Sequence, residues 1–136
     1  MWWIYALLSA VFAALTAIFA KQGMRGVNSD LATAIRTIVI LMLSWAIVWF
    51  KGSGNMAGLT KQNWLFLILS GIATGLSWIF YFRALQLGKV SQVAPVDKLS
   101  VALTIVLSVI FLGETLTWKT AIGALFIIIG TLVIIF

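Results

Sequence analysis

The chain has 136 residues, 63% hydrophobic and 9% charged, with a formal net charge of +6 and a mean hydropathy of +1.17; soluble domains run at about 45–50% apolar and about 25% charged, so a water-soluble fold of this size is excluded. Cysteine and histidine are both absent, which excludes disulfides, thiol nucleophiles, imidazole acid–base chemistry and Cys/His metal sites. The Lys and Arg residues stand singly between apolar runs instead of forming a basic face, which argues against nucleic acid as a partner and leaves the lipid bilayer as the solvent.

A bilayer core about 30 Å thick takes about 20 residues of helix at 1.5 Å rise each, and five apolar runs of that length follow one another. The first covers about 2–20 and stops at Lys21-Gln22-Gly23. No basic residue precedes it, so it lacks the n-region of a signal peptide and reads as a retained helix. The second covers about 31–50, with Asn28-Ser29-Asp30 as N-cap candidates ahead of it and Lys51-Gly52-Ser53-Gly54-Asn55 behind. The third covers about 64–82 and ends in Arg83, Gly88 and Lys89. The fourth, about 91–112, carries the single proline, Pro95, in its first turns and ends at Gly113-Glu114; the fifth covers about 118–136. Trp2, Trp3, Trp49, Trp64 and Trp118 fall at span ends, where indoles anchor at the headgroups. The predicted fold is therefore all-α: a polytopic membrane protein whose five transmembrane helices, joined by short loops, form one compact bundle and a single domain, 1–136.

Basic residues near span ends set orientation. Lys51, Lys61 and Lys119 lie on the N-terminal side, against Lys21, Arg25, Arg83 and Lys89 on the other, with Arg36 and Lys98 just inside spans there. The bias toward an outside N-terminus is small, which leaves dual topology open.

Polar side chains inside spans are costly and face the protein interior or a wet cavity. Asp97, Ser100, Thr104 and Ser108 share one face of the fourth span; Ser70, Thr74, Ser77 and Tyr81 share one of the third; Thr33, Arg36, Thr37 and Ser44 one of the second; Tyr5, Ser9 and Thr16 one of the first. Two readings stand for the hydroxyls: they line a common cavity, or they bond their own helices and glue neighbours together. Arg36 and Asp97 enter from the same side, roughly 8–9 Å deep at 1.5 Å per residue. Either their charges meet across the bundle, or Arg36 and Lys98 snorkel to the interface while Asp97 pairs locally with Lys98. Trp78, in the aromatic-rich third span, joins these candidates. Gly123 and Gly130 form a small-residue seam on the aliphatic fifth span, suited to helix packing or a dimer; Gly71 and Gly75 form a GxxxG for which close packing within the bundle is the leading expectation.

One order of motifs runs through the second half: Arg83-Ala84-Leu85-Gln86-Leu87-Gly88, then Val93-Ala94-Pro95-Val96, then Gly113-Glu114-Thr115-Leu116, then the final span with Gly123 and Gly130. With Phe19-Ala20-Lys21-Gln22-Gly23 at the end of the first span, this resembles the EamA-type repeat of the drug/metabolite transporter superfamily over nearly the whole chain. Typical members resemble two such five-helix repeats in tandem with inverted topology, a central substrate cavity and alternating access. The resemblance implies that a chain with one repeat is completed as an antiparallel homodimer, with a parallel dimer or a heteromeric partner as alternatives. Pro95 matches the family's proline and implies a hinge. Gly113 and Glu114 match its Gly-Glu, and Glu114 reads as structural, an N-cap candidate for the last span. The membrane-embedded Glu of the small multidrug resistance relatives has no counterpart in the first span here, which counts against cationic drug–proton antiport.

The expected function is secondary transport of small polar metabolites, amino-acid-like or otherwise carboxylate-bearing, across a prokaryotic inner membrane. The expected substrate site draws on Arg36, Asp97, Lys98, Ser100, Thr104, Thr74, Trp78 and Tyr81. A non-transporting accessory or scaffold subunit is the alternative. An enzyme is not expected: Asp97 and Glu114 lie about 25 Å apart along a helix of 1.5 Å rise, too far to act as a pair. No cofactor or P-loop signature is visible.

Overall fold

The computed structural model describes residues 1–136. Backbone groups in lipid must bond within their own segment, and the chain answers with helices throughout: α1 (Trp2–Gly23), α2 (Ser29–Phe50), α3 (Lys61–Leu87), α4 (Val90–Asp97), α5 (Leu99–Leu112) and α6 (Trp118–Ile135). Taking α4 and α5 as one interrupted span, five helical segments are long and apolar enough to cross a membrane. Two compact units can be distinguished, Met1–Leu87 and Gly88–Phe136.

In the first unit α3 is the helix on which both α1 and α2 pack. Its 27 residues correspond to about 40 Å at 1.5 Å rise, more than the hydrocarbon thickness. It begins three residues earlier and ends five residues later than hydropathy predicts. Arg83-Ala84-Leu85-Gln86-Leu87 are all strong helix formers, so the helix runs past its apolar stretch until Gly88. α1 similarly continues through Lys21 and Gln22 to Gly23. At the start of α2, Asn28 is the N-cap, its Oδ1 accepting from Asp30 N at 2.8 Å and Leu31 N at 3.4 Å. Gly26, at φ +73°, supplies the left-handed residue that lets the chain reverse between α1 and α2 in so few residues.

In the second unit α6 packs on both α4 and α5. Pro95 has no N–H to donate to the carbonyl four residues back. The helix survives the proline and breaks just after it, at Lys98, whose N–H is shared between Ala94 O at 3.3 Å and Pro95 O at 3.0 Å. α5 ends at Gly113 in the left-handed conformation, φ +68°, with Glu114 N closing onto Ser108 O at 3.3 Å. The cap of α6 is Thr117, whose side chain accepts from Thr120 N at 3.2 Å. Glu114 is therefore not the cap expected from sequence: the chain runs three residues further before α6 begins, and the threonine next to Trp118 holds the position that can reach the first free N–H groups.

Few side chains are buried. The apolar ones are Ala17, Met24, Phe82, Leu85 and Ala102, joined by Ser29, Thr33 and Thr131. The large aliphatic and aromatic residues stand mostly on the outside, the arrangement a lipid solvent stabilises. A methyl group added at Gly71, Gly75, Gly123 or Gly130 would meet nothing within 4 Å. Gly71 and Gly75 thus do not mediate close packing within this chain, contrary to the expectation for that motif; the neighbouring helices approach α3 on other faces.

Candidate functional site

A cleft of about 430 Å³ opens in the first unit, between the second half of α1, the α1–α2 turn and the first half of α2. Thr16, Phe19 and Ala20 form one wall, Ile35 and Arg36 the other, and Phe82 of α3 the floor. The floor is rigid, because Phe82 is only 1% exposed and the next turn of α3 places the fully buried Leu85 behind it. A smaller cleft of about 260 Å³ lies where the 51–60 connection folds back on the end of α2, but no ionisable side chain lines it. The larger cleft is the one with chemistry in it.

That chemistry is Arg36, which enters the cleft wall seven residues after the start of α2 at Ser29. Its guanidinium carbon lies 4.2 Å from the centroid of the Phe82 ring and 4.8 Å from that of Trp78. Such contacts contribute about 0.5–1 kcal/mol when exposed and about 2 or more when desolvated. Aromatic faces attract the cation but accept no conventional hydrogen bond, and Nη1 is buried without a hydrogen-bond partner. A buried, unsatisfied donor on a charged group is among the more costly features a protein retains. An anionic ligand with two oxygens would satisfy it in the forked geometry that guanidinium favours.

The end of the cleft at the α1–α2 turn is tied shut by polar contacts to α3. Lys21 Nζ donates to the backbone oxygens of Leu85 and Gln86, placing a cation where the free carbonyls of a helix C-terminus accumulate negative charge. Gln86 Nε2 donates to Val27 O at 2.7 Å. These contacts secure the turn that carries Met24 and Val27, both of which line the cleft.

Of the residues singled out from sequence, Arg36 and Trp78 come together, whereas Thr74 and Tyr81 do not line the cleft. Thr74 is exposed and donates to Ser70 O of its own helix at 2.9 Å; Tyr81 packs edge-on against Phe82, with centroids 5.4 Å apart. In the second unit Asp97 pairs with its sequence neighbour Lys98 at 3.2 Å, and Thr104 donates to Ser100 O at 2.8 Å. Thr16, Thr33 and Thr37 also bond carbonyls four residues back. For these threonines local bonding accounts for the hydroxyl proton. Pro95 is held from α6: the buried Thr131 donates to Ile127 O at 2.8 Å and reaches Pro95 O at 3.3 Å. Phe82, Lys21 and Gln86 were not among the candidates. Phe82 sits at i+4 from Trp78, a spacing that places two rings on one face of α3 and could have identified it.

An all-helical chain with five helices long and apolar enough to span a bilayer is a polytopic membrane protein. The whole chain, residues 1–136, matches the EamA-like transporter family, and it belongs to that family. It is 51% identical over 134 residues to a protein of Sinorhizobium sp named an uncharacterized transporter in the cobO 3′ region, with 98% of this chain and 95% of that protein covered. It is 31% identical to an uncharacterized protein of Methanocaldococcus jannaschii, with 96% and 93% covered. A longer relative is human solute carrier family 35 member G1, 30% identical over 90% of this chain but only 33% of that protein. No solved structure matches the chain.

Proposed function

We propose that this membrane transporter is a secondary transporter of small carboxylate-bearing metabolites, free acids or amino-acid-like zwitterions, working as a dimer by alternating access in a prokaryotic inner membrane. The observation that carries this reading is Arg36: a cation inside a spanning helix, held by two rings, with one donor nitrogen unsatisfied at a cleft large enough for a metabolite. Intramembrane charges of this kind mark substrate pathways. Asp97, with Lys98 beside it, supplies a carboxylate for coupling, and Ser100 and Thr104 in the second unit, like Thr74 and Tyr81 in the first, supply further polar surface for a solute within their own units. Pro95 and the break at Lys98 provide the pivot about which part of the fourth span moves.

Relative lengths support the dimer reading: the Sinorhizobium relative matches nearly end to end, whereas this chain covers only 33% of human solute carrier family 35 member G1, so a second copy could supply helices that the longer protein carries in one chain. Two copies inserted in opposite senses would restore an inverted pair, with Gly123 and Gly130 as the seam, since both glycines are open to a close approach. Single-cysteine labelling in intact cells, with reporters in the Gly52–Gly58 loop and near Gly26, tests the arrangement, and no native thiol competes. Labelling of each position from both sides supports the inverted dimer; labelling from one side only removes it.

Transport itself is tested by uptake of radiolabelled carboxylates and amino acids into proteoliposomes containing the wild-type chain or Arg36→Gln. Flux that vanishes in the variant supports the assignment. Undiminished flux would take Arg36 out of the pathway and the proposal with it.

A further inference from the structure

We infer that the cleft around Arg36 takes organic monoanions with an apolar body, a carboxylate or phosphodiester head joined to an aliphatic or aromatic group, in preference to zwitterions. The inference deepens the carboxylate reading of the same cleft and rests on it.

Three observations converge on this chemistry. First, Arg36 is the single charged side chain lining the cleft. The first unit contains one acidic residue, Asp30, which is exposed at the start of α2 and lies outside the lining. An ammonium group in the cleft would therefore find no carboxylate among the residues that line it. Second, backbone acceptors at the turn are already engaged: Ala20 O accepts from Met24 N at 2.9 Å and Met24 O from Val27 N at 3.2 Å. The α1 C-terminus, which could otherwise receive a cation, is thus capped by its own turn. Third, the rest of the lining is apolar: Phe19, Met24, Val27, Ile35 and Phe82 surround the space next to the guanidinium. A solute whose head meets Nη1 has its body against rings and aliphatic side chains, where apolar surface is favoured and a second charge is not.

The head could be presented by a water-borne solute or by a bilayer lipid, since anionic phospholipids and fatty acids share this chemistry. The test uses a series built on one skeleton: 3-phenylpropionate, L-phenylalanine, which adds only the α-ammonium, and phenethylamine, which lacks the carboxylate. Each is titrated into the full-length protein in phosphatidylcholine nanodiscs, with octanoate as a second monoanion and empty discs subtracting partition into lipid. Binding is followed by calorimetry and by the fluorescence of Trp78, identified by its loss in Trp78→Phe.

The expected result is 3-phenylpropionate binding about tenfold or more tighter than phenylalanine, because the ammonium is desolvated without a partner, and no saturable binding of phenethylamine. Arg36→Gln weakens 3-phenylpropionate binding by about 10- to 100-fold. Ala32→Glu puts a carboxylate on the cleft wall one turn before Arg36, where it can meet the ligand's ammonium while Arg36 holds the head, and should reverse the order so that phenylalanine binds more tightly than 3-phenylpropionate. This variant gains a preference, so it cannot be mistaken for an unfolded protein.

Repeating the titration with phosphatidylglycerol in the discs identifies the source of the head. Competition assigns a lipid occupant of the same chemical class; independence assigns a solute. Phenylalanine binding as tightly as 3-phenylpropionate, with both weakened in Arg36→Gln, overturns the monoanion preference and leaves the carboxylate reading standing. Absence of saturable binding by 3-phenylpropionate, octanoate and phenylalanine alike overturns both.

Discussion

Arg36 in the first unit and Asp97 in the second are both ionisable groups within spanning helices, and they are accommodated by different means. Asp97 has its partner next to it in the chain, Lys98, at 3.2 Å. Arg36 lies against Trp78 and Phe82, more than forty residues away, and keeps Nη1 unsatisfied. A local ion pair neutralises a charge before any tertiary structure forms. A cation held by rings remains a net positive charge with a donor to offer, and tertiary packing sets its position. The difference is why we propose binding for the first and a coupling or positional role for the second.

The largest expected effect separates those roles. Arg36→Gln should weaken monoanion binding by about 10- to 100-fold, the range corresponding to about 1.5–3 kcal/mol for hydrogen bonds to a charged group, and should abolish uptake. Asp97→Asn should abolish uptake while leaving binding at the Arg36 cleft intact, as read by the same titration. Loss of binding in Asp97→Asn would break the distinction.

Pro95→Ala supplies the missing N–H and allows an unbroken helix from Val90 to Leu112. The expected outcome is a gain of ~1–3 kcal/mol in thermal stability in detergent, the scale of a proline's cost inside a helix, together with slower flux at unchanged affinity. Faster flux in the stabilised variant would exclude a pivot at this position.

Two inter-helix contacts extend the comparison to smaller effects. Lys21→Met removes a charged donor from the α3 carbonyls and should destabilise the first unit by about 1–3 kcal/mol, with weaker binding as the α1–α2 turn loosens. Thr131→Val removes a neutral hydroxyl shared between Ile127 O and Pro95 O and should cost only about 0.6 kcal/mol, the usual size of an interhelical bond in a membrane. Equal effects would mean that charge assistance contributes nothing at Lys21.

Much of the architecture was legible because each span must satisfy its own backbone and match the bilayer thickness, both of which leave a mark in the local pattern. The same holds for Asn28, which caps α2 as its residue type and position predict. The ends of α3 were less legible: hydropathy reports where lipid stops, whereas the helix stops at Gly88, so Arg83 and Gln86 are helical although they lie beyond the apolar run. Glu114 shows the same limit, since a helix cap depends on where the backbone turns, and Thr117 occupies that place.

The sequence by itself determined the solvent, the number of spans, the position of the proline and the presence of an intramembrane arginine, because each follows from composition or from spacing along one helix. Only the tertiary structure decided that Arg36 meets Trp78 and Phe82, that Lys21 and Gln86 secure the turn beside it, and that the threonine stripes are largely turned back on their own helices. Those outcomes depend on which faces of α1 and α2 pack on α3. In an apolar chain many faces are similar enough in hydrophobicity that periodicity does not choose among them, and the fit of side chains does.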